Sequence, residues 1–408
     1  MAKGIKTASP KTSMMARMMG VGVTKNAAVL SESDFFGASD MVRTRVPILN
    51  VALSGELDGG LTPGITAVAG PSKHFKSNIG LVLVSAYLRK HPDAVCLFFD
   101  NEFGSTPGYF KSAGVDPSRV KHIPFKDVEE LKFEAIQHLE SLERGDKVIC
   151  FVDSIGNVAS KKELQDAIDL KSAQDMSRAK QIKSCFRMIT PYLTTIGIPM
   201  VVINHTYETQ ETYSKTIMSG GTGPMYSANT VFIIGRQQEK DGTELLGYNF
   251  IINIEKSRFI KEKSKLPVNV TFEGGINTYS GLLDVGLDIG FIVKPSNGWF
   301  SRAFLDKETG ELVTEDKKWR RADTDCSEFW KPMFSHAPFK EAFADHFKLK
   351  AATVDDETMA EIDDLFDGKA ELPVELSRKI SEKGNELENL ENIDLDSEEA
   401  DSLFDNLD

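Results

Sequence analysis

Short, nearly continuous apolar runs recur along the chain: ITAVAG (65–70), AVCLFFD (94–100), KVICFVDS (147–154), PMVVINH (199–205) and TVFIIGR (230–236), most closing on a polar residue. Helical patterns separate the earlier ones, such as NIGLVLVSAYLRK (78–90) and the stretch from Val128 to Arg144. Strands apolar on both faces and spaced by helices predict an α/β fold with a mostly parallel central sheet, covered on both sides. YNFIINIEKSR (248–258) and LPVNVTFEGG (266–275) have no helix between them and predict a terminal antiparallel pair. In such a sheet, ligands gather where the carboxyl ends of the strands open. The polar residues at those ends are the first candidates for chemistry.

The first run leads straight into Gly70-Pro71-Ser72-Lys73-His74-Phe75-Lys76-Ser77, then Asn78 and a helix. This is the G-x-x-x-x-G-K-[ST] spacing in its strand–loop–helix setting, with Phe75 in place of the second glycine. Loop amides and the helix N-terminus would hold phosphate oxygens, Lys76 would neutralise charge, and the Ser77 hydroxyl would ligate Mg²⁺. Asp153 ends the third run, where a carboxylate can hold Mg²⁺ through water. Glu102 follows the second, where one can deprotonate an attacking water. Each alone also reads as an ordinary strand-end cap. Three such ends in one sheet point to a nucleoside triphosphatase.

Composition narrows the class. Of 408 residues, 41% are hydrophobic and 27% charged, which excludes disorder throughout. Cys96, Cys150, Cys185 and Cys326 lie far apart with no CxxC pair, so neither a disulfide scaffold nor a zinc site is indicated. No apolar stretch approaches the ~18 residues of a membrane span. A soluble protein of a reducing compartment is expected. The net charge of −13 is unevenly spread: residues 353–408 hold 20 Asp and Glu against 4 Lys and Arg, leaving +3 for residues 1–352. That partition keeps a nucleic-acid partner open. Residues 1–31 hold no acidic side chain, a composition shared by transit peptides and mobile basic arms.

The stretches VALSGELDGGLTPGITAVAGPSKHFKSN (51–78), FFDNEFGSTPGYFKSAGVDPSRV (98–120), VDSIGNVASKKE (152–163), INHTYETQETYSKTIMSGGTGPMYSA (203–228) and EKSRFIKEKSK (255–265) carry a resemblance. They resemble the RecA recombinase superfamily and, within it, the UvsX type of T-even-like bacteriophages, which shares the departure at Phe75. The similarity runs from about Phe35 to about Phe347. It implies a RecA-like ATPase core over 46–281, after a basic arm and N-terminal oligomerisation segment (1–45) and before a small C-terminal domain (282–352) and acidic tail (353–408). It implies Glu102 as the water-activating carboxylate, Tyr109 stacking on adenine, and His205 sensing the γ-phosphate. Lys256 and Arg258 would reach ATP across a filament interface, and Phe35 and Phe36 would dock on the adjacent subunit. From the residues alone, Tyr109 also reads as a core tyrosine, and EKSR as a solvated charge run.

Two segments follow the nucleotide-sensing strands. Around 156–180 the resemblance puts Arg178 and Lys180 near the DNA backbone. The following helix sets Met176, Ala179, Ile182, Phe186 and Ile189 on one stripe, with Lys180, Lys183 and Arg187 on another. The second segment, 206–228, is long for a loop, and holds Lys215, Met218, Gly220, Gly221, Thr222 and Gly223, suited to close approach to phosphates. Ile217 and Met218 are candidate wedges between bases; a plain surface loop is the alternative. The implied function is ATP- and Mg²⁺-dependent homologous recombination in the host bacterial cytoplasm. It would run through helical filaments on single-stranded DNA that pair with duplex, with single-strand-binding and mediator proteins as partners. A RecA-fold hexameric helicase and a non-hydrolysing filament-forming mediator are the alternatives. The tail reads as a polyanion competing with DNA, a solubility tail, or a partner-docking segment ending in Leu403, Phe404 and Leu407. Competition alone predicts that deleting 353–408 tightens duplex binding most at low salt, with the gain shrinking along a salt series. Equal affinities throughout would remove it.

Overall fold

The computed structural model describes residues 14–21, 27–33, 41–170, 177–209, 216–306 and 308–349; Phe35, Phe36, Lys215 and the acidic tail lie outside them. Helices α1 (Met14–Met19) and α2 (Pro47–Ser54) precede the sheet. Strand and helix then alternate: β1 (Gly64–Ala69), α3 (Lys76–Lys90), β2 (Val95–Asp100), α4 (Pro107–Ser112), β3 (Val120–Pro124), α5 (Val128–Glu140), β4 (Val148–Asp153), α6 (Lys161–Ile168), α7 (Ser177–Ile196) and β5 (Pro199–Asn204). The hairpin β6 (Thr206–Glu208) and β7 (Thr216–Met218) leads through α8 (Thr222–Ser227) to β8 (Thr230–Asp241), β9 (Glu244–Lys256), β10 (Lys265–Thr271) and β11 (Gly275–Ile276). The chain continues as α9 (Leu282–Asp288), β12 (Ile292–Ser296), β13 (Trp299–Leu305), β14 (Leu312–Thr314), β15 (Trp319–Arg320), α10 (Ser327–Ser335) and α11 (Ala337–Phe347).

The main sheet runs in the order β11-β10-β9-β8-β1-β5-β4-β2-β3. From β8 to β3 all neighbours are parallel, and β9, β10 and β11 extend the sheet antiparallel. The expected terminal pair is β9 with β10, and β8 forms a long hairpin with β9. Side chains alternate between two buried clusters. Phe98, Phe151 and Ile203 face α3, while Leu97, Phe99, Cys150 and Val202 face α5 and α7. Coverage on both faces is why these strands read as continuous apolar runs.

Local chemistry sets the helix starts. Asp127 caps α5 by accepting from the Glu130 amide, and Ser160 opens α6 in a reciprocal capping box with Glu163. Cys96, Cys150 and Cys185 are buried, and burial pushes the thiols of Cys150 and Cys185 up to about 12, so they pack as small apolar groups. Beyond the sheet, Phe329, Trp330, Phe339, Phe343 and Phe347 are buried in the same cluster as the α3 face, continuous with the main core. Arg302, nearly buried, holds Glu315 through Nε at 2.8 Å and Nη2 at 2.6 Å and ties β13 to α10 through the carbonyls of Glu328 and Phe329.

Gly80 lets α3 close on the sheet, since a Cβ there would meet the Phe151 ring at 2.5 Å and Ile203 Cδ1 at 3.3 Å. Gly80→Val should therefore overpack the core and cost about 3 kcal/mol. The urea-unfolding midpoint reads this directly, and an unchanged midpoint would show slack beneath α3.

Candidate nucleotide site and the loops that follow it

Four parallel strands deliver the predicted residues to one end of the sheet. The loop after β1 turns through Lys73 (φ 61) and Phe75 (φ 61), both in the left-handed region. Glycine would take this conformation freely; a phenylalanine there costs about 1–2 kcal/mol. The Phe75 ring offsets that cost by stacking on Phe250 of β9, with centroids 4.8 Å apart and planes at 16°. Lys76 begins α3, is 6% exposed, and donates to the Pro71 carbonyl at 2.8 Å. Burial lowers its ammonium pKa, against the attraction of Glu102 and Asp153. Pro71, Ser72 and Lys73 are exposed, Gly70 is buried, and His74 Nδ1 lies 2.9 Å from the Ser72 carbonyl.

Glu102 follows β2. It accepts from the Ser154 hydroxyl, and His205 Nε2 lies 2.9 Å from its Oε1. The His205 bond comes first and the Ser154 bond adds to it, and together they hold the Glu102 carboxyl below its ordinary range against the effect of burial. His205 follows β5 directly and hands the chain to β6. Gly156 makes room for this ring, because a Cβ there would overlap it. Asp153 ends β4, 4% exposed. Burial pushes its carboxyl up to about 6, with the Ser77 and Ser105 hydrogen bonds pulling down and Glu102 pushing further up. Its Oδ1 is buried and has no hydrogen-bond partner among the described residues.

That orphaned carboxylate oxygen, beside a hydroxyl at the start of a helix, suits a hard cation. No group of three or more His, Cys, Asp or Glu among the described residues is arranged to hold a metal. Mg²⁺ usually takes one or two protein ligands and completes its shell with water and phosphate, so Ser77 and Asp153 fit it.

The remaining predicted residues fall into distinct settings. Tyr109 of α4 donates to the Asn78 side chain at the start of α3. Burial, with the Asp153 charge adding to it, raises its phenol. Lys256 donates to the carbonyls of Met225 (2.9 Å) and Tyr226 (3.0 Å), on α8, while Arg258 is exposed. Arg178 is turned inward. Its guanidinium binds the carbonyls of Val158 (2.6 Å), Ile155 (3.2 Å) and Gly156 (2.5 Å), which ties the loop after β4 to α7. Lys180, Lys183 and Arg187 are exposed along α7, whereas Ile182, Phe186 and Ile189 are buried.

The segment expected as a long loop is a hairpin plus a helix. Strand alternation buries Met218 to 2% and leaves Ile217 39% exposed, so Ile217 is the apolar side chain of this pair at the surface. Gly220 and Gly221 form the turn into α8, which Thr222 begins, and Gly223 is buried where a Cβ would meet Lys183 Cα of α7 at 2.6 Å.

Sequence reasoning missed Asp100, His122, Ser105, Ser154 and Gly156. Asp100 closes an apolar run much as Asp153 does, a signal present but read only for its neighbour Glu102. The others act through contacts between strands far apart in sequence.

A six-stranded parallel sheet with a phosphate-loop spacing after β1 and acidic residues after β2 and at the end of β4 is the core of the RecA-like α/β class. A family model described as the C-terminal domain of the bacteriophage T4 recombination and repair protein matches residues 279–343. The recombination and repair protein of Enterobacteria phage T4 is 51% identical over 384 residues, covering 93% of this chain and 98% of its own length. RecA of Cutibacterium acnes is 24% identical over 304 residues (73% of this chain, 84% of its own), and RecA of Tropheryma whipplei 26% over 272 residues (65% and 60%). The chain belongs to the family of the T4 recombination and repair protein, the UvsX-type branch of the RecA-like recombinases.

Because the folded Asp153 pKa, about 6, lies above the ordinary 3.8, the folded state holds its proton more tightly and stability falls as pH rises through this window. Asp153→Asn should thus stabilise the nucleotide-free protein near pH 8 by about 3 kcal/mol, and the two proteins should converge near pH 4. Thermal midpoints across pH test this. A variant destabilised near pH 8 would contradict it.

Proposed function

We propose that this recombinase binds ATP at the ends of β1, β2, β4 and β5, polymerises on single-stranded DNA, and uses hydrolysis to leave the tight DNA-binding state. The observation that carries this reading is the Glu102–His205 hydrogen bond, 2.9 Å long, at the point where β5 enters the β6–β7 hairpin. Glu102 can take a proton from an attacking water. His205, held by the same carboxylate, registers the γ-phosphate side of the site and begins the segment placed against DNA. Lys76, now bonded to its own loop, would swing its ammonium to the β/γ-phosphates. Mg²⁺, when bound, would offset the charge on the phosphate oxygens. Tyr109 would face the base, and Lys256 and Arg258 would complete the site of a neighbouring subunit in the filament.

The exposed row Lys180, Lys183 and Arg187 and the hairpin with Ile217 supply a surface for the sugar–phosphate chain, where contacts give affinity without sequence choice. No helix of the described residues is long and apolar enough to cross a membrane. Duplex DNA, single-strand-binding and mediator proteins, and action in the host bacterial cytoplasm complete the reading.

Two substitutions separate binding from chemistry. Lys76→Ala should abolish nucleotide-dependent DNA binding, because the phosphate charge loses its partner. Glu102→Gln should still bind ATP and DNA, with hydrolysis reduced by about 10²-fold or more and filaments persisting longer. Fluorescent-nucleotide binding, phosphate release and filament lifetimes by electron microscopy read these outcomes. Identical non-binding behaviour of both variants would remove the role given to Glu102.

A further inference from the structure

The turn that presents Glu102 is held from behind by residues with no assigned part in the chemistry. Asp100, the last residue of β2, is 2% exposed. Its Oδ1 accepts the amides of Glu102 at 3.0 Å and Phe103 at 2.9 Å. Its Oδ2 lies 3.1 Å from Nε2 of His122, on the edge strand β3. Phe103 itself sits at φ 55, so the residue next to Glu102 is a non-glycine in the left-handed region. Such a conformation persists only where its surroundings enforce it. Here Asp100 enforces it from one side, and on the other Asn101 Oδ1 accepts the Ser154 amide at 2.9 Å.

His122 is the outer member of this arrangement. Its ring stacks on Phe98 (5.4 Å between centroids, 28°) and meets the edge of Phe103 (6.3 Å, 88°), while the side chain remains 48% exposed. The imidazole is therefore held in one orientation, with Asp100 as its hydrogen-bond partner. Without its N–H, one oxygen of a buried carboxylate would lose a donor, and the carboxylate could turn away from the two amides it organises. A displacement of about 1 Å in a water-activating carboxylate is enough to cost about 10²-fold in rate.

We propose that His122 is a positioning residue for ATP hydrolysis: through Asp100 it locks the left-handed turn at Phe103 and so aims Glu102. This rests on Glu102 being the water-activating carboxylate, as proposed above. It assigns a part in the chemistry to the edge strand, which carries none of the predicted site residues.

The test uses full-length protein, ATP, Mg²⁺ and single-stranded oligonucleotide. His122→Leu should lower kcat for ATP by about tenfold or more with KM within about twofold of the parent, and His122→Gln, which keeps a donor, should recover most of the rate. In a Glu102→Gln background, His122→Leu should change the residual rate by less than about twofold, because the group it acts through is already gone. A purely structural role would instead raise KM, lower the thermal midpoint in step with the rate, and multiply its loss onto the Glu102→Gln protein; any of these overturns the proposal, as does an unchanged kcat. Failure is separable from failure of the underlying reading. If Glu102→Gln alone leaves hydrolysis intact, the Glu102 assignment falls. If Glu102→Gln abolishes hydrolysis while His122→Leu does not, only the positioning role falls.

Discussion

Coverage of the parallel sheet on both faces constrains everything else in this protein. With α3 on one side and α5 and α7 on the other, every side chain along β1, β2, β4 and β5 is buried except Val95 at the start of β2, and polar groups can be reached only at the strand ends. Parallel pairing then brings the same end of each strand into register, so Asp100 stands beside Asp153 and Ala69 beside Asn204. A chain that must bury these strands has little choice about where its chemistry goes. The candidate site is a by-product of how the sheet is covered.

Concentrating charge at that rim has an electrostatic cost, and the structure distributes it unevenly. Asp153 is left partly unsatisfied and Lys76 is partly desolvated, both raised in free energy before any ligand arrives. Glu102 is kept charged by His205 and Ser154. Asp100, as deeply buried as Asp153, is fully hydrogen-bonded to amides and an imidazole. The two aspartates at adjacent strand ends are thus in opposite states. One is completed by the protein, and the other keeps an oxygen with no hydrogen-bond partner among the described residues. Unsatisfied buried groups of this kind concentrate at functional sites.

Much of this was legible in the sequence because it depends on short-range pattern. Continuous apolar runs gave away the buried parallel strands, and the lysine–serine pair marks the loop between β1 and α3 despite Phe75. The antiparallel extension was visible in two strands with no helix between them. The edge strand β3 was missed because its alternation is weak and half-exposed, and His122 was missed with it. Within 206–228 the three-residue strands β6 and β7 carry too little periodicity to register in the sequence. Met218 and Arg178 show the other limit: neither the residues nor the resemblance tells that Met218 is buried or that the Arg178 guanidinium is held by backbone carbonyls.

Phe75 gives the loop after β1 a mechanical connection that a glycine would lack. Its ring lies flat on Phe250, and six residues further along the same strand Lys256 grips the end of α8, just after the β6–β7 hairpin. The loop is consequently not an independent flap. Any lift of its backbone to admit or release a ligand must slide one aromatic face over another, and the load falls on a strand whose far end is pinned to the segment after the hairpin. The residue that breaks the loop's sequence rule turns β9 into a push-rod between that loop and the end of α8.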